Sequence, residues 1–397
     1  MLQVALVSTI LLSIGIFQVA LTRIFDLAPS AAPGTLFSIS IIFLLLRKYS
    51  KDLYKIKKRT LYIIIFIILY SMLQFYLVDY FNLKTYLSFP LFIYLCIVTY
   101  MMSVFLSKID IKKLYASIDL SVYVIIFFGI LTILSEGRFG IPFGYNYREV
   151  FPFAEPSHYA LFSGPFFILY FISSPNIIRR IFILTVTLLF AIYIQSLTML
   201  IFNILLWGLL IKPSVKNILI LLAMLYFFLS VIFNIEYFNK RINLDSEESN
   251  NLSTLVYLQG FYDAKYSLVH SNGLGLGFQM MGTQAESEIG ELIRTFYKNI
   301  HDGINREDGG FLAAKIVAEF GIFGIVLLFM YIYLLIKSYI ILQKRSTIED
   351  KVLVFSSGLI YSSFVYFFIR GIGYFSPSII FFLVGFFYIF QYRYKKI

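Results

Sequence analysis

Apolar runs of about 17–20 residues, separated by short polar stretches, recur along the whole chain, and each is long enough to cross a ~30 Å hydrocarbon layer. Thr60–Val78, Asn217–Phe233 and Val352–Ile369 are examples, almost free of charge. No water reaches such a layer, so the backbone must bond to itself and the runs are predicted as helices. A β-barrel would need alternating polarity, which these runs lack. The pattern predicts helices at 2–22, 30–46, 60–78, 86–106, 117–135, 158–174, 181–196, 197–211, 217–233, 311–336, 352–369 and 376–390. The stretch 181–211 reads either as one long kinked element or as two helices, and the split is placed at Gln195-Ser196-Leu197-Thr198. The fold class is thus all-α, a polytopic transmembrane bundle of about 12 spans.

Composition agrees: 59% of residues are hydrophobic and 14% charged, with mean hydropathy +0.83, against about 25% charged in soluble domains. The net charge of +11 changes the picture only through its distribution. Seven basic residues fall in 47–59, three in 108–113, two at Arg179–Arg180, four in 337–351 and three in 393–396. Basic residues gathered in short loops orient a membrane chain with those loops inside, so this charge implies no nucleic-acid partner. Both termini are then expected in the cytoplasm, which an even number of crossings satisfies. The first apolar run is too long for a cleavable signal peptide and is expected to stay as a membrane helix. Cys96 is the single cysteine, so neither an intrachain disulfide nor a cysteine metal site is expected.

Three parts follow: nine helices over 1–233 with a short outer loop at 136–157, a large outer loop at 234–310, and three helices over 311–397. The large loop carries eleven acidic and six basic residues and is too long for a simple connector. Within it Leu255, Leu258 and Phe261, and Ile289, Leu292, Ile293 and Phe296, recur at helical spacing. They predict short amphipathic helices that lie on the membrane, cap the bundle or pack against each other.

Candidate chemistry concentrates in these loops. There is no phosphate-binding Gly-x-x-x-x-Gly-Lys run and no Asp-x-Asp pair for a metal-bound nucleotide sugar, so a substrate would arrive already activated. The histidines at 158, 270 and 301 are scattered and suggest no metal site; no cofactor is implied, and a divalent metal is left open. In Arg148–His158, Pro156 and Ser157 suit a helix start with Glu155 at its positive end. The same tract, with Arg138, offers guanidinium forks to phosphate oxygens. Gly273, Gly275 and Gly277 permit close backbone approach, to a ligand or within a turn. Glu319 lies about eight residues inside the tenth helix, some ~12 Å deep. A carboxylate there costs on the order of 2.5–3.5 kcal/mol and calls for a partner, which Lys315 one turn earlier can be. Arg370 is either an interfacial anchor or part of the same cavity.

As a set, these tracts resemble the Wzy-type polysaccharide polymerases, within the wider O-antigen ligase-like group. Arg148 with Glu155-Pro156-Ser157 matches an Arg…Glu-Pro-Ser tract before a helix. Gly273, Gly275 and Gly277 match a Gly-x-Gly segment in a long outer loop, and Glu319, Gly321 and Gly324 match the helix that follows it. Asp308 is similar in position to the catalytic aspartate of the related peptidoglycan polymerases. In O-antigen ligases a histidine followed by Asn tends to stand there; here the nearest is His301, so the chain departs from that pattern. The resemblance implies transfer of a growing glycan from undecaprenyl diphosphate to a hydroxyl of another lipid-linked repeat unit, with inversion. It implies Asp308 as general base, with Glu155 orienting Arg148 or serving as base itself. Arg148, and less directly Arg138, Arg241 and Arg370, would hold the diphosphate, supported by Glu319, Lys315 and His301. It also implies the bacterial inner membrane, a periplasmic active site, a chain-length co-polymerase and a flippase as partners. Competing readings are an O-antigen ligase acting on lipid A-core, a lipid-linked oligosaccharide flippase, and a structural assembly protein.

Overall fold

The computed structural model describes residues 1–24, 32–49, 58–77, 83–134, 150–153, 155–211, 251–285, 287–296 and 306–392, with single positions between 219 and 239. These residues form thirteen helices and no strand. In chain order they are α1 Leu2–Ile24, α2 Ala32–Leu46, α3 Lys58–Leu77, α4 Leu83–Ser107, α5 Ile111–Leu134, α6 Pro156–Ser173, α7 Ile177–Tyr193 and α8 Leu197–Leu210. After them come α9 Leu252–His270, α10 Glu288–Phe296, α11 Leu312–Gln343, α12 Lys351–Phe368 and α13 Pro377–Tyr392. The span expected at 217–233 lies outside the described residues apart from single positions.

Five helical stretches are long and apolar enough to cross a membrane: Ala32–Tyr49, Leu83–Ser107, Ile111–Leu134, Leu312–Gln343 and Lys351–Phe368. Shorter apolar helices at Leu2–Phe17, Ile64–Tyr76, Leu197–Leu210 and Pro377–Phe390 accompany them. The outward side of α11 carries Ile322, Val326, Phe329, Met330, Tyr333, Ile336 and Ile340, all exposed. Their three- and four-residue spacing makes one apolar stripe, which belongs against lipid because water would leave it as a large exposed patch. The chain is an all-α membrane protein.

The core sits around α6, whose residues from Tyr159 to Ile172 are all buried, with α5, α7, α8, α12 and α13 against it. Small residues bring these helices close, as membrane packing requires. At Gly164 an added Cβ would overlap the Phe202 ring, and at Gly129 the Phe190 ring. Buried hydroxyls bond back to the carbonyl a turn earlier, as Thr99 does to Leu95 (2.8 Å), Ser121 to Ser117 (2.8 Å) and Ser163 to Tyr159 (2.7 Å), so they add no orphan donor to an apolar interior.

The break within 181–211 is a helical hairpin. Gln195 takes φ 54, and Ser196 caps α8 by accepting from the Met199 amide at 3.3 Å. Asn203 donates across the hairpin to Leu184 O (2.8 Å) and Thr187 Oγ1 (2.7 Å). α11 runs past the expected end at 336, because Lys337 reaches sideways to the Tyr333 hydroxyl (3.1 Å) and leaves the apolar pattern to continue to Gln343. In the loop region α9 is a full 19 residues and packs along α11. Leu255 and Val256 of α9 meet Ile293 of α10 in a small apolar cluster, with Ile289 beside them.

Candidate active site

The first turns of α11 bury a charge pair. Phe311 stands at the N-cap position without a side-chain capping bond, and Lys315 and Glu319, one turn apart, are both fully buried. Lys315 Nζ lies 3.1 Å from Glu319 Oε1 and 3.9 Å from Asp308 Oδ1. It also donates to the Glu307 carbonyl and sits 5.4 Å above the Tyr374 ring. Glu319 Oε1 accepts from the Met281 amide at 3.3 Å, which ties the outer loop to the pair. Burial first, and then the neighbouring Glu319 carboxylate, push the Tyr374 hydroxyl well above its usual range.

Two residues after Glu319, α11 breaks. Gly321 takes φ 58 and ψ −135, a conformation open to glycine and strained for other residues. The break frees carbonyls inside the bundle, and each finds a donor, as buried backbone groups must. Ser267 donates to Ala318 O. The Leu276 and Gly277 amides donate to Ala318 O (2.9 Å) and Glu319 O (3.0 Å), and the Ile322 amide to Gly273 O (2.8 Å). Gln74 of α3 donates to Leu274 O (2.8 Å) and Glu319 O (2.7 Å), and Tyr70 to Leu274 O (2.8 Å) and Phe320 O (3.1 Å). The close approach that Gly273 and Gly275 permit is made to this break: a Cβ at Gly275 would collide with the Glu319 carbonyl. Gly277 follows in the same loop with φ 101.

Asp308 stands on the turn before α11, its side chain 38% exposed, beside Gly309 and Gly310 at φ 66 and 70. The loop between α12 and α13 closes over this turn: the Gly371 amide donates to Gly310 O at 2.8 Å, and Asp308 Oδ1 occupies the space where Gly373 would carry a Cβ. Arg370 begins that loop. Its Nη2 lies 3.5 Å from Glu155 Oε2, and its buried Nε has no hydrogen-bond partner among the described residues. Glu155 precedes Pro156 at the start of α6, and Ser157 donates to its Oε2 at 2.9 Å. Ahead of it Val150 and Phe153 close a turn about Pro152, and Phe153 packs on Tyr159 and Phe162. Thus Asp308, Lys315, Glu319, Arg370 and Glu155 form one polar patch at one end of the bundle. Lys84 of α4 joins its edge through an ion pair with Glu307.

Basic residues collect where the same helices end at the other side. Arg179 pairs with Asp119 at 2.7 Å, Arg180 and Arg345 both face the Phe171 ring, and Lys351, at the start of α12, donates to Arg345 O at 3.0 Å. α12 therefore has Lys351 at one end and Arg370 just beyond the other, with its length between them.

Arg138, Arg148, Arg241 and His301 lie outside the described residues. Sequence reasoning missed four side chains that the structure brings to this region: Gln74, Tyr374, Gln259 and Asp263. Gln74 had a signal, an amide within an otherwise apolar run, since polar groups in a membrane span are costly and mark function or structure. Among the described residues no three His, Cys, Asp or Glu side chains gather as a metal site.

Asp263 sits on the buried side of α9, 1% exposed. Burial raises its carboxyl from the usual 3.8 to about 6, with Gln284 and Arg306 pulling the other way. The fold therefore favours the protonated acid: the contribution is full below about pH 4 and is lost as pH rises through about 6, at most roughly 2–3 kcal/mol. Melting curves of the purified protein across pH 4–7 check this. Asp263→Asn is expected to remove that step relative to wild type, and an unchanged profile would assign it to another group.

Comparison with protein-family models, with curated proteins and with solved structures finds no match to this chain.

Proposed function

We propose that the protein is a membrane glycosyltransferase that polymerises lipid-linked oligosaccharide repeat units, in the manner of the polymerases its motifs resemble. The observation that carries the reading is the patch just described, in which an accessible carboxylate, Asp308, lies 3.9 Å from Lys315 Nζ and shares its backbone turn with the Arg370 loop. With the basic end inside, as charge distribution directs, the patch opens on the periplasmic side of the inner membrane, where undecaprenyl diphosphate carries its finished unit.

In the reaction, a hydroxyl of the acceptor unit attacks the anomeric carbon of the donor glycan. The bond from that carbon to the diphosphate oxygen breaks, undecaprenyl diphosphate leaves with the electron pair, and the hydroxyl proton passes to Asp308. Direct displacement inverts the anomeric centre. A positioned base of this kind contributes about 10²–10⁴ in rate. Negative charge grows on the leaving oxygens, and a fixed donor aimed at them is worth about 10²–10³. Arg370, with a spare Nε donor, and Arg148 are the forks for that task; Arg138 and Arg241 are further candidates, and Glu155 holds Arg370 in place. Lys315 and Glu319 fix the turn that presents Asp308. The protein is expected to work with a flippase that delivers the unit and a co-polymerase that sets chain length.

Deleting the gene in the native host tests this. The surface glycan is expected to shrink to a single repeat unit on its carrier, resolved by gel electrophoresis of extracted glycolipid. Bare carrier would favour the ligase, and units trapped on the inner leaflet the flippase; either outcome would overturn the polymerase reading.

A further inference from the structure

Beside the Asp308 turn lies a second group of buried polar side chains that the proposed reaction does not use. Gln259 and Asp263 are one turn apart on α9 and only 2% and 1% exposed. Among the described residues, neither amide atom of Gln259 and neither oxygen of Asp263 has a hydrogen-bond partner, and the same holds for Gln284 Nε2 and Arg306 Nε. Other atoms of the same side chains are bonded: Gln284 Oε1 accepts from the Gly282 amide at 2.8 Å, and Arg306 Nη2 donates to the carbonyls of Gln284 and Ala285. Gln284, by a hydrogen-bonding approach looser than the bonds just named, and then the Arg306 charge both favour the Asp263 carboxylate. Native interiors rarely leave so many polar atoms unpaired in one place, and such a group asks for a missing partner.

The unpaired atoms are balanced. Gln259 Oε1 and the two Asp263 oxygens accept; Gln259 Nε2, Gln284 Nε2 and Arg306 Nε donate. An inorganic anion would meet the Asp263 charge, and a metal cation would meet the Arg306 charge. Neighbouring hydroxyls, each of which donates one hydrogen bond and accepts others, satisfy both halves. The group also adjoins the reaction turn, since Arg306 is two residues before Asp308 and Gly260, next to Gln259, abuts the Gly309 carbonyl. Arg306 ties the Gln284–Ala285 turn to this group.

We propose that Gln259, Asp263, Gln284 and Arg306 form a saccharide subsite that grips vicinal hydroxyls of a glycan lying against the Asp308 turn. The inference rests on the glycan reading above, but its test measures binding and not turnover. The probe is the lipid-free repeat-unit saccharide, released by mild acid from the host glycolipid, titrated against the full-length protein in nanodiscs and followed by saturation-transfer NMR. Longer released chains form a second arm, which distinguishes the acceptor unit from the growing polymer as occupant. Wild type and Asp308→Asn are expected to bind the probe alike. Gln259→Leu is expected to bind at least 10-fold more weakly while melting roughly 2–5 °C higher, because it removes two unpaired buried polar atoms; Gln284→Leu is expected to bind at least 10-fold more weakly without that gain, because it also gives up the Gly282 bond. Two leucine variants guard against one failing to fold. Wild-type affinity in both folded variants, or no saturation transfer from wild type in either arm, would overturn the subsite. A lower melting temperature in Gln259→Leu with no saccharide binding by wild type would assign the group to buried water and overturn the subsite as well. If Asp308→Asn instead kept full polymerisation, the function reading would fall while the binding result stood.

Discussion

Asp308→Asn leaves the protein inserted and expressed at wild-type level and abolishes long-chain glycan. The substitution keeps shape and hydrogen-bonding size, and the side chain is partly open, so the turn that Gly309 and Gly310 shape persists. What disappears is the group that takes the acceptor proton. Losing a positioned base lowers turnover about 10²–10⁴-fold, enough to collapse a ladder of chain lengths to its lowest rung within a cell generation. Membrane extracts probed for protein level, and glycolipid gels probed for chain length, check the two halves together. A normal ladder from the variant would remove Asp308 from the mechanism.

Lys315→Met produces the largest loss of stability. Lys315 and Glu319 are both fully buried, and their 3.1 Å pair is what makes a carboxylate tolerable there. A buried pair is weak evidence of net stabilisation, but removing one partner leaves the other charge uncompensated and costs about 3–5 kcal/mol. The Met281 amide that bonds Glu319 Oε1 offsets only part of that. Adding Glu319→Gln in the same chain is expected to recover most of the loss. Thermal unfolding of the three proteins in matched detergent reads this directly, and a single variant as stable as wild type would show that Glu319 has another source of compensation.

How far the chain could be read from its letters depended on whether the deciding contact was local. Among the described residues, apolar runs placed most helix ends to within four residues, because in lipid a backbone has little alternative to internal bonding; α5 begins six residues earlier than expected and α11 ends seven later. Gln195-Ser196 was visible as a break, since Ser is a good N-cap. The Lys315–Glu319 pair was legible as well, being one turn apart on one helix. The break at Gly321 was not: Glu-Phe-Gly-Ile-Phe-Gly reads as a motif in a continuous helix, and what stabilises the break is Gln74 and Tyr70 of α3, together with the Gly273–Gly277 loop, all distant in sequence. The glycines suggested close approach correctly, while the partner that the structure shows is the helix itself. Arg370 left two options open, and its position against Glu155 and the Asp308 turn came only from the way α6, α11 and α12 pack. Gln259 and Asp263 looked like ordinary polar residues of a loop helix, because their burial comes from the packing of α9 against α11 and α10, distant in sequence.

The central claim, that the Asp308 patch joins lipid-linked glycans, is tested most directly without cells. Purified protein in nanodiscs is given undecaprenyl diphosphate-linked repeat units and nothing else, and the products are resolved by mass. The account predicts a series of products growing by whole units with release of undecaprenyl diphosphate, and none from Asp308→Asn. Only the starting unit from well-folded wild type, or equal products from both proteins, would contradict it.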